Sequence, residues 1–184
     1  MIKKSIDEVV RAFGGVDIVV NDIGTAIVNK DESDGHNWQK YLDINVTKHQ
    51  NLLKNIIPYL KEGINPNLII IASKDFIDVG NEHVIYTAVD NDQIQLSNKT
   101  TTQLSKYGIR VNTIYPRKVL NSNMSDKSLQ DRAELCGLSL EEYLDDDNLK
   151  IELEAYDTAI LARTIASSAF GRTTGAQLKV DCAI

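Results

Sequence analysis

Leu68-Ile69-Ile70-Ile71-Ala72-Ser73 is the stretch that decides the fold. It is an apolar, β-branched run of strand length, bounded upstream by Gly63 and Pro66. A continuous apolar run reads as a strand buried on both faces, as in a parallel sheet covered by helices. Working outward, Val16-Asp17-Ile18-Val19-Val20-Asn21 and Ile109-Arg110-Val111-Asn112-Thr113-Ile114-Tyr115 have the same character, the latter ended by Pro116. Val16–Val20 is likewise expected to be buried on both faces. Ala176-Gln177-Leu178-Lys179-Val180 is a last strand.

Helical patterns fill the intervals. Residues 5–13 read as a helix with Ser5 and Glu8 as a capping box, stopped by Gly14-Gly15. Residues 37–60 suggest one long helix, whose apolar positions drift along the helical spacing. Residues 86–106 form a weaker helix, rich in Asp, Asn, Ser and Thr, which have poor helix propensity. Residues 125–147 are read as helical and acidic, and 152–169 as an amphipathic helix. The run from Glu141 to Asp147 is read as a solvated helix face. Alternating helices and buried strands indicate a parallel sheet covered on both faces. The expected architecture is a single α/β domain over 1–184, a Rossmann-like doubly wound parallel sheet.

Composition narrows the function. The chain has 184 residues, with 20 Lys and Arg against 26 Asp and Glu and a net charge of −6. That balance argues against nucleic-acid binding, which needs a basic face. No run of 18 apolar residues exists, so no membrane span is expected. Asp7, Glu8 and Arg11 interrupt any signal-peptide core. Cys136 and Cys182 form no metal pattern, and a reduced, cytoplasmic protein is the simplest reading. His36, His49 and His83 are scattered and read as surface residues, so no metal is expected.

Six segments resemble the short-chain dehydrogenases/reductases. Asn21-Asp22-Ile23-Gly24, after its strand, resembles the family's Asn-Asn-Ala-Gly strand end, and Ile44-Asn45-Val46-Thr47 its Asn-Val segment. Ile69-Ile70-Ile71-Ala72-Ser73 resembles the strand ending in the catalytic Ser. Tyr86 follows at the spacing of the catalytic Tyr. Ile109-Arg110-Val111-Asn112 with Pro116 is similar to the next strand, and Thr173-Thr174-Gly175 with Val180-Asp181 to the last. The six occur in the family's order over nearly the whole chain. Shorter matches, at Ile71–Lys74, Val119–Ser122 and Gly137–Tyr143, resemble the dehydrogenase half of bifunctional rhamnulose-1-phosphate aldolase/alcohol dehydrogenases.

The resemblance implies NAD- or NADP-dependent hydride transfer on an alcohol or carbonyl of a small polar substrate. Ser73 would bond the substrate oxygen, Tyr86 would be the acid/base, and Asn45 would hold a relay water. Asn21, Gly24 and Pro116 would face the cofactor. Each has a plainer reading. Ser73 as a strand–loop cap, Tyr86 as a packed aromatic, Asn45 as a helix-bending residue, and Asn21 and Gly24 as turn residues stay open.

Two departures stand out. The family opens with a strand, a Gly-rich turn and a helix that cradle the cofactor pyrophosphate. This sequence contains no such turn, and Gly14-Gly15 follows a helix instead of preceding one. The expected fold therefore lacks the N-terminal Gly-rich βαβ part, which leaves Val16–Val20 as a sheet edge needing a second copy or a complementing chain. Second, the family's Tyr-x-x-x-Lys reads Tyr86-Thr87-Ala88-Val89-Asp90. A free phenol has pKa about 10, so only about one in a thousand is ionised at pH 7. A carboxylate at position 90 raises that pKa where the family's ammonium lowers it. Impaired catalysis is expected. The alternatives are a non-catalytic interaction or oligomerisation module, or a decaying gene fragment.

Overall fold

The computed structural model describes residues 1–24, 39–40, 42–72, 84–116, 119, 129–130, 133–134, 137–145 and 151–182, with backbone alone for 84–94. Its elements run α1 (Ile2–Phe13), β1 (Ile18–Asn21), a π-helical turn (Asp43–Thr47), α2 (Lys48–Leu60), β2 (Asn67–Ile71) and α3 (Val84–Ser105). There follow β3 (Arg110–Pro116), α4 (Leu140–Asp145), α5 (Ala155–Ala166), a 3-10 turn (Ser168–Phe170) and β4 (Gln177–Val180). Among the described residues one parallel sheet has the order β1-β2-β3-β4.

The two apolar faces of β2 seed two cores. Leu68 and Ile70 pack with Val111, Ile109, Leu104 and the buried stripes Ile6 of α1 and Leu53, Ile56 and Leu60 of α2. Ile69 lies on the other face with Ile114 of β3 and with Ala162 and Ile165 of α5. Burying a Leu or Ile side chain is worth about 1.5–3 kcal/mol, so these alternating contacts drive the layering.

Several sequence expectations change. The amphipathic stripe Ile2-Ile6-Val10 starts α1 at Ile2, so Ser5 sits inside the first turn, its N–H bonded to Met1 O, and forms no capping box. Gly14 ends α1 as expected, in the left-handed region at φ 86°, with its N–H on Val10 O at 2.8 Å. β1 is not buried on both faces. Ile18 and Val20 are 45% and 52% exposed. They point to the side of the sheet where α5 packs on β2 and β3. The drift along residues 37–60 has a physical origin: the π-turn inserts an extra residue and rotates the apolar stripe.

The acidic 125–147 segment is broken at Gly137, which has φ 70°. Its second part, α4, is capped reciprocally by Ser139 and Glu142, the Ser139 N–H donating to Glu142 Oε2 at 2.9 Å. The Ser139 hydroxyl and backbone donors hold the exposed Glu142 carboxyl below its ordinary pKa. The Ser- and Thr-rich α3 is a continuous 22-residue helix. Several of its hydroxyls are satisfied locally: Thr101 and Ser105 donate to carbonyls one turn back, and Ser97 meets Thr113 of β3 at 2.6 Å.

Polar side chains buried in β2 and β3 fasten the chain's last third to the sheet. Asn112 is fully buried; its Nδ2 donates to Thr173 O at 3.1 Å and its Oδ1 accepts the Ala176 N–H at 3.0 Å. Asn67 Nδ2 and Arg110 both donate to Ile165 O at the end of α5, and Arg110 also to Phe170 O. Asn112→Ala leaves two backbone groups without partners and should cost about 2–4 kcal/mol, read as a lower urea midpoint. A midpoint within error of the parent's would contradict this role for Asn112.

Candidate functional site

In an open parallel sheet, ligands bind beyond the carboxyl ends of the strands. Here the ends of β1 and β2 meet the π-turn. Asn21, the last residue of β1, is buried, as is Asn45 in the middle of the π-turn. Both line a small crevice together with Ile23, His49, Ile70, Ile71 and Leu96.

The side chains at its wall are ordered by one another. Ile23 N–H donates to Asn21 Oδ1 at 3.3 Å, turning the chain tightly after the strand. Asn21 Nδ2 bonds Nδ1 of His49, which lies one helical turn beyond Asn45. Gly24 approaches the same place: a Cβ there would lie 3.5 Å from Asn45 Oδ1. The π-turn widens the helix by one residue per turn, and such turns recur at functional sites.

Electrostatics follow from burial. His49 is 5% exposed, and desolvation lowers its pKa from 6.5 to about 4, so the ring is neutral at pH 7. Asp22, beside Asn21, is raised above the ordinary carboxyl value by partial burial.

Of the residues expected from sequence, Asn21 and Asn45 line this crevice, and Gly24 approaches Asn45 without lining it. Pro116, half-buried at the end of β3 and paired with Val180, does not line the crevice. Tyr86 and Asp90 lie one turn apart in α3, and their side chains fall outside the described residues. Ser73 falls outside them entirely. His49 corrects the reading of all three histidines as surface residues. The residue that buries it, Asn21, is 28 positions away, and no local pattern announces that pairing. His36 and His83 lie outside the described residues.

The described residues show no Gly-rich turn leading into a helix that could cradle a phosphate. Gly14 caps the carboxyl end of α1, where carbonyls and not N–H groups are exposed, so it offers no phosphate cradle. Among the described residues, no helix is long and apolar enough to cross a membrane.

Residues 1–182 match the family model described as Enoyl-(Acyl carrier protein) reductase. The chain is 25% identical over 175 residues to the D-beta-hydroxybutyrate dehydrogenase of Rhizobium meliloti, covering 92% of this chain and 67% of that protein. It is 25% identical over 188 residues to the uncharacterized oxidoreductase YuxG of Bacillus subtilis, covering 98% of this chain but only 27% of that one. The chain thus spans about a quarter to two thirds of these relatives' length. Its fold matches sorbitol-6-phosphate 2-dehydrogenase SrlD from Erwinia amylovora with a TM-score of 0.85 at 22% identity, covering 98% of this chain and 73% of that one. It also matches an NAD-bound short chain dehydrogenase from Mycobacterium paratuberculosis, with a TM-score of 0.83 at 26% identity, covering 99% and 69%.

The low His49 pKa predicts a pH dependence of stability. Between pH 4 and 6.5 the unfolded chain binds a proton that the folded one refuses. Stability contributed by the neutral ring is complete above pH 6.5 and falls by roughly 3 kcal/mol as pH drops to 4. His49→Gln should flatten urea midpoints over that window. An unchanged pH slope in the variant would contradict the assignment.

Proposed function

Because the chain belongs to the short-chain dehydrogenase/reductase family, we propose that it carries the catalytic side of an NAD(P)-dependent oxidoreductase acting on an alcohol or carbonyl of a small polar substrate. The observation that carries the reading is the meeting of Asn21, Gly24 and Asn45 at the carboxyl ends of β1 and β2. These residues belong to segments separated by 20 positions, and each was singled out by a family motif.

When bound, the nicotinamide supplies or accepts the hydride. The chain's own residues would do the rest. Ser73 bonds the substrate oxygen, Tyr86 moves a proton to or from it, and Asn45 holds a water on the inner side. The phosphate cradle must come from chain outside these residues or from a partner. The exposed Ile18 and Val20 on β1 favour such a partner, a second copy or a complementing segment. The short matches at Ile71–Lys74, Val119–Ser122 and Gly137–Tyr143 are what favour the dehydrogenase half of bifunctional rhamnulose-1-phosphate aldolase/alcohol dehydrogenases as the subgroup.

Asp90 is what separates this site from an efficient enzyme. A carboxylate one helical turn from Tyr86 favours the neutral phenol. Loss of a three-unit pKa shift amounts to about a thousandfold in available base at pH 7. Asp90→Lys in the intact protein should raise NAD(P)-dependent turnover on sugar alcohols by about 100- to 1000-fold and move the rising limb of the pH–rate profile to lower pH. Equal turnover and an unchanged profile in both proteins would contradict the reading and favour a non-catalytic assembly module.

A further inference from the structure

The Asn21–His49 pair fixes a proton. The Asn21 amide is oriented by Ile23, whose N–H takes Oδ1. Nδ2 therefore faces the ring, and an amide nitrogen only donates. His49 Nδ1 is the acceptor, and the single proton of the neutral imidazole sits on Nε2. That Nε2–H is buried, and among the described residues no group accepts it.

A buried donor without an acceptor is costly, and an internal water with two or more polar partners is the common remedy. His49 and Asn45 line the same crevice, whose remaining walls are largely apolar: Ile23, Ile70, Ile71 and Leu96. Its interior has space for about one water.

We propose that His49 is a positioning residue of this site: held as the Nε2–H tautomer by Asn21, it ties the end of β1 to α2 and anchors one water beside Asn45. The ring fixes the Asn21 amide, which in turn holds the Ile23 N–H and so the path of the chain toward Gly24. The water takes the Nε2–H and presents its remaining hydrogen-bonding capacity to Asn45. This arrangement does not depend on hydride transfer, so it stands or falls separately from the reading above.

Nitrogen NMR of the intact chain tests the tautomer without any substitution. His49 should show an acceptor-type Nδ1, a protonated Nε2, and cross-relaxation from Nε2–H to a long-lived water. Protonation on Nδ1, or an Nε2–H with no water contact, overturns the proposal. Asn21→Asp replaces the donor with an acceptor and should move the ring proton to Nδ1; a ring that keeps its Nε2–H also overturns it.

Amide exchange tests the positioning. His49→Leu should speed exchange at Ile23 by about tenfold or more while residues 67–71 keep their protection. His49→Gln, which can both accept and donate, should restore slow exchange at Ile23. Equal Ile23 exchange in parent and His49→Leu would remove the positioning role. Should His49→Leu fail to fold, the parent tautomer and the Asn21→Asp shift still decide the outcome.

Discussion

Burial of β2 on both faces is the constraint on which the structure depends. Leu68 and Ile70 look toward α1, α2 and α3, and Ile69 toward α5. A strand with no polar face cannot sit at an edge or under water, so it must be central and helix-covered. That placement forces β1 and β3 alongside it in parallel and brings their carboxyl ends to one side. The site exists because the ends of β1 and β2 sit side by side there. The polar side chains within the sheet, Asn67, Arg110 and Asn112, each donate to backbone carbonyls of α5 or of the segment that follows it.

Much of this was legible from residues alone. The runs at 68–72 and 109–115 read as strands because each is short, rich in β-branched residues and bounded by turn signals. Family motifs point to Asn21, Gly24 and Asn45; Asn21 and Asn45 line one crevice, and Gly24 lies close to Asn45. What escaped reading was non-local. Ile18 and Val20 look like core residues in sequence, and only the sheet order shows that nothing described covers them. The capping box at Ser5 is a real local pattern, but the stripe continuing back to Ile2 overrides it. His49 is polar on a helix flanked by Lys48 and Gln50, and its surroundings mimic a solvated face. Its burial follows from a partner on another element.

The π-turn joins the two kinds of signal. In sequence it is only a slippage of the apolar period between Ile44 and Leu52. In the fold it sets Asn45 inward and puts His49 one turn behind it. The same residue insertion that blurs the helix pattern therefore builds the inner wall of the site. Asp90 is a signal of another type: it lies within the continuous α3, and only the family motif singles it out.

The proposed function places a nicotinamide dinucleotide at the carboxyl ends of β1 and β2. Amide chemical-shift mapping with NADH and NADPH, up to about millimolar concentration, tests it directly, since even weak binding registers. The account predicts saturable shifts concentrated at Asn21–Gly24, Asn45 and His49. Shifts confined to other surfaces, or none from a folded sample, would contradict it and leave the family's scaffold without the family's chemistry.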